Sequence, residues 1–128
     1  MAGKSDYLEN AIVDHALGTA TFTKPTAVYL GLYSAAPTDA GGGTEISGNG
    51  YARQAITFNA ASGGSAANSN TPTFTASGGA WAAATHFGIF DAVSGGNLLY
   101  WNALTAPKTL ANGESVDFLP GDVIVAED

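Results

Sequence analysis

The chain has two histidines, His15 and His86, no cysteine and eleven acidic residues, so any chemistry it performs must come from imidazole, carboxylate and hydroxyl groups. A nucleophile-and-base mechanism would set one imidazole beside a serine and an orienting acid. No nucleophile elbow accompanies either histidine. His86 opens the apolar run His86-Phe87-Gly88-Ile89-Phe90, where a half-buried imidazole bonded to backbone is expected. His15 falls on the buried stripe of an amphipathic segment or near its C-terminal end, where positive charge is welcome. No catalytic residue is assigned, and the chain reads as a non-enzyme. Asp39, Glu45, Asp91, Asp117 and Asp122 offer oxygen ligands for Ca2+, but their spacing matches no EF-hand loop. Asp39 after Thr38 and Asp122 after Gly121 are better read as turn residues that bond their own backbone, and no metal is expected. The triplet Gly41-Gly42-Gly43 lacks the Lys-Ser/Thr ending of a phosphate loop, so no cofactor is expected either.

Arg53 is the one arginine in a chain with four cations. Its guanidinium is expected to pair with a carboxylate of the long loop that precedes it, or of an adjacent subunit. Tyr29, Tyr33, Tyr51, Trp81, Tyr100 and Trp101 could line a saccharide groove, although aromatics on alternating strands are more often core or interface.

The elements that must position these residues follow from the hydrophobic pattern. Val28-Tyr29-Leu30-Gly31-Leu32-Tyr33 and Tyr51-Ala52-Arg53-Gln54-Ala55-Ile56-Thr57-Phe58 alternate with period two and read as strands around a long loop at about 34–50. His86 to Asp91 and Leu98 to Leu104 read as a hairpin across Gly95-Gly96-Asn97. The segment 109–125 supplies two further short strands with Pro120-Gly121 between them, and the small-residue run from Asn59 to Asn70 is not taken as a domain boundary. One helix is expected over about 6–17, with Asp6 as N-cap, Glu9 completing a capping box, Leu8, Ile12, His15 and Ala16 on the buried stripe, and Gly18 as the stop. The fold class is mainly β: an antiparallel sandwich or jelly roll with one short N-terminal α-helix, in a single domain over 1–128.

Charge narrows the partners. A formal net charge of -7 leaves no basic face for nucleic acid. No apolar run approaches the roughly 18 residues of a membrane span, and no signal-peptide core follows the N-terminus, so synthesis in a cytoplasm is expected.

Tyr7-Leu8-Glu9, the strand Val28 to Tyr33, the run Pro37 to Glu45, Gly50-Tyr51-Ala52-Arg53, Thr85 to Asp91 and Gly95 to Tyr100 together resemble, nearly end to end, a family of small virion proteins of tailed bacteriophages that carry the label tail fibre protein. The resemblance implies a structural protein of the virion, made in the host bacterial cytoplasm, with other virion proteins (the major capsid protein or tail proteins) and further copies of itself as partners. No heptad, collagen triplet or β-helical rung is present, which excludes a fibre shaft. An accessory head decoration or cement protein that stabilises the capsid lattice is the favoured expectation. The alternative is a tail fibre or tail-tip component that takes part in binding a host receptor glycan.

The interface is expected at Asp39, Gly41, Gly42, Gly43, Glu45, Tyr51 and Arg53. The Gly-rich loop Pro37 to Gly50 is expected to be an extended arm, because ordering it costs about 1 kcal/mol per residue and its few side chains do not offset that.

Overall fold

The computed structural model describes residues 3–127. It is mainly β and antiparallel, with one short N-terminal helix. In chain order the elements are β1 (Gly3–Lys4), α1 (Asp6–Ala16), β2 (Val28–Ala35), β3 (Thr44–Glu45), β4 (Gln54–Ile56), β5 (Ser65–Ala67), β6 (Thr73–Thr75), β7 (Ala84–Phe90), β8 (Leu98–Lys108), β9 (Ser115–Asp117) and β10 (Ile124–Ala126). A six-stranded sheet runs β1-β8-β7-β2-β3, with β4 sharing the outer edge of β2; two ribbons, β5–β10 and β6–β9, stand apart from it.

Alternation along β2 and β7 gives this sheet two unlike faces. Leu30 pairs with Ile89 and Leu32 with Phe87, and these four side chains join Phe74, Phe118 and Val123 of the ribbon region in one buried cluster. The covering layer is thus made of two short ribbons and their loops. The two closing strands bracket Pro120-Gly121 but pair with different partners, β9 with β6 and β10 with β5. Asn68 joins these ribbons from a fully buried position. Its Oδ1 accepts from the Gly121 and Val123 amides, each at 3.0 Å, and its Nδ2 donates to the carbonyls of Asn70, Phe118 and Leu119.

The N-cap lies one residue earlier than the pattern suggests. Ser5, not Asp6, is the N-cap: its Oγ accepts from the Leu8 amide at 3.2 Å, and Asp6 lies in the first turn, where an acid suits the helix dipole. Leu17 caps the other end and Gly18 follows in the left-handed region at φ 79°, as expected of the stop. The expected buried stripe shrinks to Leu8, while Ile12, His15 and Ala16 are exposed. The helix rests mainly on β8 and on the strand end that precedes it. Ser5 Oγ donates to the Leu98 carbonyl, the Ser5 amide donates to Leu99 O at 2.8 Å, and the Asp6 amide donates to Asp39 O at 2.7 Å.

The loop over 34–50 folds back onto its own domain and is not an extended arm. Thr38 and Gly41 exchange backbone bonds of 2.8 and 2.9 Å, and Glu45 pairs with Tyr33 in the β2–β3 ladder. Ile46 is buried and donates its amide to Leu32 O at 2.9 Å. Asn49 then accepts from the Trp81 indole at 2.8 Å and donates to Ala80 O at 2.9 Å. One buried isoleucine and these bonds supply the ordering free energy that the glycine count argues against.

Candidate functional site

On the second face of the sheet β2 presents Tyr29, Gly31 and Tyr33, and β7 sets Phe90, Gly88 and His86 opposite them. Gly31 beside Gly88 leaves a trough. A Cβ on Gly31 would lie 2.8 Å from a Phe90 ring carbon and 2.9 Å from Glu45 Oε2, so the missing side chain is what admits the groups above it. Arg53 fills the trough, its guanidinium carbon 3.5 Å from the Phe90 ring centroid. Its Nε and Nη2 donate to Glu45 Oε2 and Oε1, both at 2.9 Å, in a two-pronged ion pair. Nη1 donates to the carbonyls of Ala92 at 2.9 Å and Gly95 at 2.8 Å, which ties the β7–β8 turn to the same group. Tyr51 completes the cluster: its hydroxyl donates to Glu45 Oε2 at 2.5 Å and accepts from the Leu32 amide at 3.0 Å.

The electrostatics follow from this enclosure. Burial lowers the tendency of Arg53 to hold its proton, but the hydrogen bonds and charge of Glu45 outweigh it, and the guanidinium ends up held above its ordinary value. Burial and then the Glu45 charge push Tyr33 up to about 12. Burial and the hydrogen bond to Glu45 push Tyr51 higher still. Glu45, Tyr51 and Arg53 therefore form a closed clasp, and the acid expected for Arg53 is a residue of the long loop.

Asp39 belongs to a different place. It lies at the edge of the sheet, where its Oδ1 accepts from the Trp101 indole at 2.9 Å. Trp101 pairs with Gly3 of β1. A Cβ on Gly3 would overlap Asp39 Oδ1 and come within 2.8 Å of Trp101 Nε1, so glycine lets the strand pass beneath this contact. The His86 ring leans on Trp101 with centroids 6.2 Å apart. Beside the pair opens a groove of about 410 Å³ whose lining includes Lys4, Glu9, Asp39, Trp101, Asn102 and Ile124. At one end Lys4 pairs with Glu127 at 2.7 Å, and Tyr100 donates its hydroxyl to the same carboxylate. Burial raises the Glu127 carboxyl, but the bonds from Lys4 and Tyr100 prevail and hold it below its ordinary value.

Of the other candidates, Gly41 bridges to Thr38, while Gly41, Gly42 and Gly43 all take positive φ, at 101°, 77° and 73°. His15 Nδ1 accepts from the Phe22 amide at 3.1 Å, and His86 Nδ1 shares a 2.9 Å bond with Thr85 Oγ1. Asp91 accepts from the backbone and side chain of Asn97, Asp117 from Thr73, and Asp122 from the Leu119 amide, so each carboxylate orders a turn or a strand pair. Among the described residues no group of three or more His, Asp or Glu could hold a metal ion. The groove at Trp101 was missed as a unit because Asp39 and Trp101 lie 62 positions apart; Gly3, in a strand position with no apparent turn, is the one local sign of a close approach there.

The geometry defines a small antiparallel β protein with a polar clasp on one sheet face and a groove at the sheet edge. Residues 3–126 match the family model described as Podophage GP4 fiber I protein gp80, and the chain belongs to that family of phage fibre proteins. It is therefore a structural component of a phage virion. No curated protein matches it. The fibre role, placed second on the sequence, fits this family better than head decoration does. Among the described residues no helix is long and apolar enough to cross a membrane.

Proposed function

We propose that the chain is a non-enzymatic tail fibre component that associates with tail proteins and with further copies of itself, and that it turns part of its surface toward the host. The family match over residues 3–126 carries this reading. The absence of a shaft repeat gives it the form of a compact head, tip or adaptor and not of a rod. Both histidines have local structural partners, which supports a role without turnover.

Immunogold labelling of intact virions, with mass spectrometry of the same particles, tests the proposal. Gold confined to the tail region is the expected result. Labelling spread over the capsid at hundreds of copies would overturn it and return the chain to head decoration.

A further inference from the structure

We propose that Asn49 is a site of spontaneous deamidation, and that its conversion to aspartate or isoaspartate releases the segment 76–81 from the end of the long loop. Asparagine is among the thermolabile residues, and the chain has two Asn-Gly pairs, Asn49-Gly50 and Asn112-Gly113. In such a pair no side chain on the glycine hinders its nitrogen from reaching the asparagine carboxamide. Both pairs are exposed, and both hold the segment 76–81. The Asn49 carbonyl accepts from the Ser77 amide and from the Trp81 indole, each at 2.8 Å, and its Nδ2 donates to Ala80 O at 2.9 Å. Asn112 Oδ1 accepts from the Gly78 amide at 3.0 Å, and the Gly113 amide donates to Ala76 O at 2.8 Å.

The pairs differ first in the attacking atom. The glycine nitrogen must give up its proton before it attacks. Gly113 N–H is held by Ala76 O, whereas among the described residues the Gly50 N–H has no hydrogen-bond partner. Gly50 N bonds to Asn49 Cγ, the Cγ–Nδ2 bond breaks, and Nδ2 leaves as ammonia with a proton that matches the one Gly50 lost. Water then opens the cyclic imide at either carbonyl, which gives aspartate or isoaspartate with no change of oxidation state.

The pairs differ again in what the product does. Asn112 contributes an acceptor, and a carboxylate oxygen accepts from Gly78 as the carboxamide oxygen did. Asn49 contributes a donor to a carbonyl, which can only accept, so a carboxylate there loses the bond and sets negative charge against Ala80 O. Isoaspartate also inserts the side-chain methylene into the backbone of the turn that Tyr51 N closes onto Gly48 O at 3.0 Å. The carbonyl that holds Ser77 and the Trp81 indole belongs to the same residue, so the change reaches the buried tryptophan.

Incubation of the native full-length chain in mildly alkaline buffer, with peptide mapping by mass spectrometry for aspartate and isoaspartate, tests the site. Product at Asn49 should form about fivefold or more faster than at Asn112, the factor that one hydrogen bond supplies. In concentrated guanidinium chloride the two rates should converge. Equal rates in the native chain, faster reaction at Asn112, or no product at Asn49 while the denatured chain reacts would overturn the assignment. The consequence is read separately in Asn49→Asp and in the aged wild-type chain isolated by its added charge. Both should unfold at lower denaturant concentration than the parent and move the Trp81 indole N–H resonance, while Asn112→Asp, with the same added charge, should do neither. An Asn49→Asp chain as stable as the parent, or an Asn112→Asp chain as weakened as Asn49→Asp, would contradict the proposal.

Discussion

The clasp at Arg53 and the groove at Trp101 use similar residue types to opposite ends. Each joins an aromatic ring, a carboxylate of the long loop and a nitrogen donor. In the clasp all three guanidinium nitrogens and both Glu45 oxygens are engaged within the chain, through four of the five guanidinium N–H groups, and the paired side chains are only 10% and 24% exposed. In the groove Asp39 has a side-chain hydrogen bond at only one oxygen among the described residues. Saturation marks a group that holds shape, whereas residual hydrogen-bonding capacity on a fixed frame marks a surface able to receive a ligand.

Substitutions should separate the two regions by size of effect. Arg53→Ala removes the ion pair, the stacking on Phe90 and the tie to the β7–β8 turn, and it leaves Glu45 in a half-buried trough. Denaturant unfolding should show a loss of about 3 kcal/mol, and Arg53→Lys should recover less than half of it because an ammonium cannot reproduce the two-pronged geometry. Tyr51→Phe leaves the Leu32 amide without its acceptor, for a loss of about 2 kcal/mol. Lys4→Ala at the groove's end breaks an exposed pair and should change stability by about 0.5 kcal/mol or less. A clasp variant as mild as Lys4→Ala would erase the contrast.

Acid and alkali should distinguish the regions as well. The Tyr33 phenol is raised to about 12 and Tyr51 is raised with it, both first by burial, while phenols of the unfolded chain titrate near about 10. The folded state then holds more protons than the unfolded one above that value. The clasp's contribution should be complete below about pH 10 and fall as the pH rises toward 12. Glu127 is depressed, so the smaller contribution at the groove's end is present above the ordinary carboxylate range and is lost as the pH falls through its folded value. Thermal melts across pH 9 to 12 and pH 3 to 6 should show the alkaline slope as the steeper.

Much of the framework was legible where the pattern is local. The apolar alternation of β2 and of the β7–β8 hairpin, the stop at Gly18 and the link from Arg53 to an acid of the long loop all follow from neighbouring residues. The N-cap was misplaced because Ser5 and Asp6 are both good caps, and the choice falls to Ser5, whose amide and hydroxyl both reach β8. The buried stripe was overestimated because only one turn of the helix meets the sheet. Asn68, in a run of small polar residues, gives no sign that it organises a turn more than fifty positions away. The fold-back of the loop was underestimated from its glycine count; Ile46, a lone large apolar residue among Gly, Ser and Asn, was the available signal.

The contrast between a saturated clasp and an open groove is tested most directly by amide hydrogen exchange on the native protein. The clasp account predicts that the amide of Ile46, bonded to Leu32 O, exchanges as slowly as those of the central strands β2 and β7, while the amide of Gly42 on the exposed part of the loop exchanges fast. Rapid exchange at Ile46, on the scale of Gly42, would show that the loop is an arm after all and that Arg53 and Glu45 do not fasten it.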